Sequence, residues 1–218
     1  DRENYPDFDN IGTFTIYQYF GRYAKRSFPG ISFEILKPSD EVLGFINSYY
    51  INYELGPCIT LKSLEGAHLT GVYQDGKLKA IFGIDNLDEV KQNVVLKIPL
   101  FLRLFKGFMN LIRPLTGTVA LPGIQQPIRM LYFKFLFLCE PEKNLIQAIF
   151  RKVQHEAYQL NYPFISISLH ERDPLQKLVP KRWRIPFHSV GMLVSMKNNR
   201  DLIAKIQSGV PYKDFSTV

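Results

Sequence analysis

Residues 130–169 read MLYFKFLFLCEPEKNLIQAIFRKVQHEAYQLNYPFISISL. The first nine, Met130–Leu138, are almost wholly apolar and aromatic, which predicts a strand buried on both faces. Phe164–Leu169 predicts a second strand. Between them, Asn144 is the predicted N-cap of a helix, and Gln147 can return the capping bond. Because a strand, a crossover helix and a second strand form a right-handed parallel unit, this stretch predicts the centre of an α/β fold.

The predicted helix and the elements before it have regular apolar patterns. Apolar residues recur every three or four positions and form one face of the predicted helix, at Leu145, Ile149, Val153, Ala157 and Leu160. Ile11–Phe20 and Ile31–Leu36 are predicted strands. Ser39 or Asp40 caps a helix that ends at Gly56-Pro57. The inward face of that helix is predicted to hold Val42, Phe45, Ile46, Tyr49, Tyr50 and Tyr53.

A hairpin and an insertion follow. Strands His68–Tyr73 and Lys77–Ile84 are joined by Asp75-Gly76, a strong hairpin signal. Residues 86–126 form the insertion, and its middle, Ile98–Leu115, is very apolar with three cations. This stretch is too short and too charged to span a membrane. Three interpretations are open: a helix packed over the sheet, a lid over a substrate pocket, or a helix that docks on a membrane surface or a partner.

The last third of the chain is predicted less sharply. Leu175–Trp183 favours a short helix or turn, and His188–Met196 is the last predicted strand. Asp201 is the predicted cap of a short helix through Gln207, after which the tail is expected to be loose. Ile59–Glu65 fits neither a helix nor a strand clearly.

The composition is that of a folded globular chain. It has 218 residues, of which 46% are hydrophobic and 22% charged, with a net charge of +7. The positive excess fits a solvated surface or a basic groove for an anionic ligand, such as a nucleotide cofactor or nucleic acid. No known nucleic-acid-binding motif is present, so nucleic acid is not the favoured partner.

Two cysteines, Cys58 and Cys139, form neither a disulfide framework nor a metal-site spacing. They favour a reducing compartment, so a cytoplasmic location is expected, and no metal is predicted. Cys139 closes the apolar strand and is expected to be buried packing. No secretory signal or transmembrane segment is recognised. The chain begins at Asp1 without an initiator Met, so we expect a fragment of a longer protein.

The order of the predicted elements over residues 31–196 resembles that of the GCN5-related N-acetyltransferase (GNAT) superfamily. That order is strand, helix, hairpin, long strand, helix, strand, short helix, strand. The resemblance is closest from Met130 to Met196 and rests on element order rather than on a signature motif. It implies an α/β (α+β) fold with a mixed, mostly antiparallel sheet and helices on both faces. A central parallel pair of strands would splay apart, with acyl-coenzyme A held in the gap.

In GNAT proteins the pyrophosphate of acyl-coenzyme A lies at the start of the helix that follows the fourth strand, in a turn of pattern Q/R-x-x-G-x-G/A. The matching turn here is Cys139-Glu140-Pro141-Glu142-Lys143-Asn144, which has no glycine. Pro141 lacks an N–H donor and two glutamates oppose the phosphates, while Lys143 offsets part of their charge. The resemblance implies that the donor contacts Leu138, Cys139, Lys143, Asn144 and Leu145.

The resemblance also suggests where proton-transfer groups would lie. His170 follows the second strand of the unit and is a candidate general base, or else a capping residue. Glu171 and Asp173 could orient it or receive an amine, or could belong to a solvated loop. Glu140 is a second candidate base. GNAT proteins often use a Tyr after the fifth strand as the acid, and Leu175–Phe187 contains none.

Two functional hypotheses follow from the resemblance. The first is an N-acyltransferase that uses acetyl-CoA or another acyl-CoA as co-substrate and a small-molecule or peptide amine as acceptor. The second is a GNAT-like recognition or interaction module that has lost CoA binding. Residues 1–30 would be an N-terminal strand and linker, and 31–218 the GNAT-like domain. Ile11–Phe20 either ends a preceding GNAT-like domain of the same protein or completes this sheet.

Overall fold

The computed structural model describes residues 8–24, 28–89, 93–195 and 199–213. In chain order the elements are β1 Phe8–Phe20, β2 Ile31–Ile35, α1 Asp40–Tyr50, α2 Leu61–Leu64, β3 His68–Gln74, β4 Lys77–Asn86, α3 Leu100–Leu111, α4 Arg113–Thr116, β5 Met130–Leu138, α5 Lys143–Gln159, β6 Phe164–His170, a 3₁₀ turn Pro174–Lys177, β7 Arg184–Val194 and α6 Arg200–Ser208.

The described strands form one seven-stranded sheet in the order β2-β3-β4-β5-β6-β1-β7. All neighbours pair antiparallel except β5 and β6, which are parallel. The predicted fold class is therefore confirmed, including the central parallel unit. Helix α5 covers one face of the sheet through Leu145, Ile149 and Val153, while α1 and α2 cover the other through Ile46 and Leu64.

Strand β1 lies inside this sheet, between β6 and β7. It pairs with β6 from Phe14 to Phe20 and with β7 from Phe8 to Tyr19. In the described chain, β7 has no other strand neighbour. Two hypotheses were open for the N-terminal strand. In the structure this strand completes the sheet of the described chain. Residues 25–27 of the expected linker lie outside the described residues.

Several predicted boundaries and caps were wrong. Helix α1 ends at Tyr50, before the predicted stop, because the chain turns there and Tyr53 N donates to Tyr50 O. Helix α5 begins two residues earlier than predicted, with Glu142 rather than Asn144 at the N-cap position and no side-chain cap bond. Asn199, rather than Asp201, caps α6 and accepts from Leu202 N.

Four expectations about exposure also need correction. Cys139 is exposed, because β5 ends at Leu138 and the chain leaves the core there. Leu160 lies at the end of α5 and is 52% exposed, beyond the reach of the sheet. Asp173 is buried rather than in a solvated loop. The tail is not loose as far as Tyr212, whose N–H donates to Glu54 O; residues 214–218 lie outside the described residues.

Helix α3 does not pack over the sheet, the first interpretation of the insertion. Met109 is its only buried side chain among those described. Asn110 holds the helix to the following loop by accepting from Leu121 N at 2.9 Å. The helix therefore stands on the surface with most of its apolar side chains exposed.

Candidate functional site

The parallel pair β5 and β6 separates after a short stretch of pairing. Met130–Tyr132 pairs with Phe164–Ser166, yet β5 continues to Leu138 and β6 to His170. Beyond Tyr132, no described strand pairs with the β6-facing edge of β5. That edge directs unpaired backbone N–H and C=O groups into the gap, which we call the splay slot.

A β-bulge at Lys134 shapes the wall of the splay slot. Ile84 of β4 lies opposite Phe133 and Gly83 lies opposite Phe135, so Lys134 is the extra residue on β5. The bulge reverses the alternation, and Phe135 joins the α1 side of the core while Phe133 packs on the α5 side. Lys134 Nζ forms a salt bridge with Asp85 Oδ2 at 3.0 Å.

Aromatic side chains nearly fill the splay slot. The remaining cavity is about 50 Å³ and lies between β5, β6, the end of α1 and the chain after α6. The tyrosines that line it are Tyr49, Tyr50, Tyr53, Tyr132 and Tyr212. A cavity of this size has room for a few water molecules. A larger ligand therefore requires movement of the tyrosines or of the tail.

Asp173 is the buried carboxylate of the splay slot. It is 6% exposed, and its Oδ1 accepts from Leu175 N at 2.8 Å, which caps the 3₁₀ turn. Burial raises the pKa of Asp173 to about 6, while hydrogen bonds from Leu175 and Tyr53 oppose the rise. No salt bridge to Asp173 occurs among the described residues. A carboxylate with such a pKa can take up a proton near neutral pH.

Two tyrosines connect Asp173 to α1. Tyr53 lines the same cavity as Asp173, and its hydroxyl lowers the pKa of Asp173 by interacting with the charged carboxylate. Tyr49 Oη lies 2.8 Å from Tyr53 Oη, so Tyr49 can donate to Tyr53 in turn. Burial is the main cause that raises the pKa of both phenols well above the ordinary value, so both stay protonated.

Ser168 adds a polar atom to the same slot. Its side chain lines the cavity from β6. Its Oγ is buried and has no hydrogen-bond partner in the described part of the chain. A buried hydroxyl without a partner is uncommon, and a bound ligand or water molecule can satisfy it.

His170, the predicted base, is the last residue of β6, lines the cavity in the splay slot and is 1% exposed. Its Nε2 is 2.9 Å from Ile11 O, so this nitrogen must carry the proton, and Nδ1 accepts from Arg172 N. Burial lowers the pKa of His170. With both ring nitrogens bonded to the backbone, this neutral histidine joins β1 to the end of β6. The structure favours a structural role for it.

The two predicted glutamates lie outside the cavity. Glu140 is exposed just past β5, and Glu171 is exposed beside Gly12 on the β1 side. Neither lines the splay slot with Asp173. The structure therefore brings His170 and Asp173 to one cavity but does not bring Glu140 or Glu171 there.

The predicted donor-binding residues divide between core and surface. Leu138 and Leu145 are buried in the main core, whereas Cys139, Lys143 and Asn144 are exposed around the start of α5. A helix start can bind phosphate, but here carboxylates precede the helix and the position before Glu142 is a proline. The residues of this turn do not fit a pyrophosphate.

The sequence interpretation missed the tyrosine network. Tyr49 and Tyr53 are spaced as one helix face, which indicates core packing and conceals a hydrogen-bonded pair. Asp173 followed by Pro174 is a capping signal, but it says nothing of burial. The described residues contain no group of three His, Cys, Asp or Glu side chains that could hold a metal ion.

No family model and no curated protein sequence matches the chain. Solved structures with a similar fold include a GCN5-related N-acetyltransferase from Anabaena variabilis, with TM-score 0.46, 9% identity and coverage of 86% of this chain and 41% of that one. L-PGS from Bacillus licheniformis has TM-score 0.38 and 12% identity, covering 74% and 46%. The C-terminal domain of a protein described as a lysylphosphatidylglycerol synthetase from Agrobacterium fabrum has TM-score 0.42 and 9% identity, covering 92% and 64%.

This chain thus spans less than half the length of the first two of these proteins. At such identities and TM-scores, the similarities assign neither a substrate nor a reaction to it. Within the described residues, the strand order, the one parallel strand pair and the splay slot are those of a divergent GNAT-like fold.

Proposed function

We propose that this chain is an N-acyltransferase domain that transfers an activated acyl group to a small-molecule or peptide amine. The donor expected from the fold is acetyl-CoA or another acyl-CoA. The single observation that supports this most strongly is the buried carboxylate of Asp173 in the splay slot, between the unpaired edge of β5 and the end of β6. The cytoplasm is the proposed location.

The proposed chemistry uses groups that face the splay slot. The amine nitrogen attacks the acyl carbonyl carbon, a C–N bond forms, and the leaving group departs with its electron pair. The proton lost by the nitrogen passes to a carboxylate oxygen of Asp173, assisted by the Tyr53 hydroxyl. Backbone N–H groups on the free edge of β5 stabilise the charge on the carbonyl oxygen.

A second candidate function is a GNAT-like interaction module without catalysis, beside another GNAT-like domain of the same protein. Two observations favour it. The Glu140-Pro141-Glu142 turn does not fit a pyrophosphate. The splay slot retains only about 50 Å³ of free volume.

Calorimetric titration with acetyl-CoA, followed by an assay of transfer to a panel of amines, tests these proposals. We expect the wild-type chain to bind acetyl-CoA only weakly, because Glu140 and Glu142 oppose the pyrophosphate. Asp173→Asn should keep that binding and lower the transfer rate by roughly 10²–10⁴-fold, the usual contribution of a general base. Glu171→Gln is the matched control and should retain activity, since Glu171 is exposed and lies outside the cavity.

The acidic turn provides an independent readout. Replacing Glu140 and Glu142 together by Gln should raise acetyl-CoA affinity by about tenfold, because two like-charge contacts with the pyrophosphate are removed. If neither the wild type nor this double variant binds acetyl-CoA, the acyltransferase proposal is wrong and the interaction module stands.

A further inference from the structure

Helix α3 carries an apolar stripe on its exposed side. Leu100, Leu104, Phe108 and Leu111 are spaced by four, four and three residues, so they lie on one face. These four side chains are 70%, 67%, 57% and 78% exposed. An ordinary surface helix buries such a face and exposes its polar one. In α3 the buried side chain is Met109, on the side opposite the apolar stripe, and no described residue covers the stripe.

The charged residues nearest the apolar stripe in sequence have one sign. Residues 93–126 contain four Lys and Arg and no Asp or Glu. Lys97, Arg103 and Arg113, which flank or interrupt the stripe, are exposed and form no salt bridge with another described residue. A surface that combines exposed Leu and Phe with cations, and lacks carboxylates, complements a layer of anionic headgroups above hydrocarbon.

We propose that α3 docks on the surface of an anionic lipid bilayer and lies in the plane of the interface with the apolar stripe inserted. No helix in the described ranges is long and apolar enough to cross a bilayer, so the contact is lateral. The Lys and Arg side chains reach the headgroups, and the stripe reaches the acyl boundary.

Co-sedimentation of the whole chain with vesicles tests this proposal. We expect binding to vesicles of equal parts phosphatidylcholine and phosphatidylglycerol, weaker binding to pure phosphatidylcholine, and weakening by salt. The double variant Leu104→Glu with Phe108→Glu should lose at least about tenfold in vesicle affinity. The matched control is Ile35→Glu on β2, where an equally apolar side chain is 90% exposed, and its vesicle binding should be unchanged.

The contribution of the cations to vesicle binding can be measured separately from that of the apolar stripe. Arg103→Gln with Arg113→Gln should weaken binding to the anionic vesicles and leave binding to pure phosphatidylcholine unchanged. Circular dichroism checks folding, and if the double glutamate variant unfolds, the single variant Leu111→Glu serves the same comparison.

Three results would overturn the proposal. The wild type could fail to sediment with either vesicle, or the stripe variants could bind as the wild type does. The third result is that the wild type does not bind vesicles but self-associates in sedimentation velocity, and that Leu104→Glu abolishes the self-association. That result would assign the apolar stripe to contact with a second copy of the chain.

Discussion

Asp173 shows how burial changes the chemistry of one residue. A carboxyl group at a strand end is ordinarily solvated, with a pKa near 4. Here it is 6% exposed, shares a cavity with Tyr53 and accepts from Leu175 N. Burial outweighs the two hydrogen bonds, and the pKa rises to about 6. The same environment that makes Asp173 a plausible proton acceptor therefore lowers stability once it ionises.

This pKa predicts a pH-dependent stability difference. A raised carboxyl pKa means that the folded chain binds the proton more tightly than the unfolded chain does. The associated stability is fully present below pH 3.8 and is lost as the pH rises through about 6. Relative to Asp173→Asn, the wild type should lose about 2 kcal/mol between pH 4 and pH 7. Urea unfolding of both proteins measures this difference; a constant difference would contradict the raised pKa.

Gly12 is a second residue whose environment sets its identity. Its φ is +106°, at a bulge in β1, and a Cβ there would overlap Nε2 of His170. Gly12→Ala should therefore destabilise the fold by about 2–4 kcal/mol, from backbone strain and the clash. Gly44→Ala in α1 is the control, because a Cβ there meets no atom within 4 Å. It should stabilise by about 0.5–1 kcal/mol, measured by thermal unfolding.

At the level of elements, β5 and α3 depart from the patterns that predicted them. In β5, one inserted residue reverses which aromatic side chains face α1 and which face α5. In α3, the apolar face predicted to cover the sheet points outward. Both departures follow from contacts that a local pattern does not contain: pairing with β4 in the first case and anchoring through Asn110 in the second.

The bulge at Lys134 gives an element-level prediction. Deleting Lys134 should be tolerated, because removing the extra residue leaves Phe135 and Phe137 on the α1 face. Deleting Leu136, outside the bulge, turns Phe137 to the opposite face, so we expect that deletion to abolish cooperative unfolding. Lys134→Ala should cost only about 0.5–1 kcal/mol, because it removes just the partly exposed ion pair with Asp85. Equal effects of the two deletions on guanidinium unfolding would argue against the bulge.

At the scale of the whole molecule, β1 makes the N-terminal segment part of the sheet. Its four most buried aromatic residues are Phe14, Tyr17, Tyr19 and Phe20, which are 2%, 6%, 0% and 5% exposed. Burial of four such side chains contributes about 6–12 kcal/mol, as much as the total stability of a typical domain. Strand β7 also loses its only described neighbour when β1 is absent.

A chain of residues 31–218 should therefore not fold, even though the sequence suggested a domain boundary near residue 30. We expect it to show no cooperative thermal transition and rapid proteolysis. The full chain is the reference, and addition of a peptide of residues 8–24 should restore protection. A stable 31–218 would instead support the boundary at residue 30.

The sequence by itself determined the core of this fold. The apolar run of Met130–Leu138, the amphipathic helix after it and the apolar run of Phe164–Leu169 each fix a local structure through periodicity alone, and a crossover helix leaves few ways to join two strands. The hairpin at Asp75-Gly76 was equally determined, since both residues adopt the positive φ that this turn requires.

The tertiary structure alone decided the candidate site. Whether Asp173 is solvated or buried, whether His170 has a free nitrogen, and whether α3 faces inward depend on segments far apart in the chain, such as Tyr53 and Ile11. Periodicity reports which side chains share a face but not what that face meets. Burial and hydrogen-bond partners, which set protonation, exist only once β1, α1 and β6 are assembled.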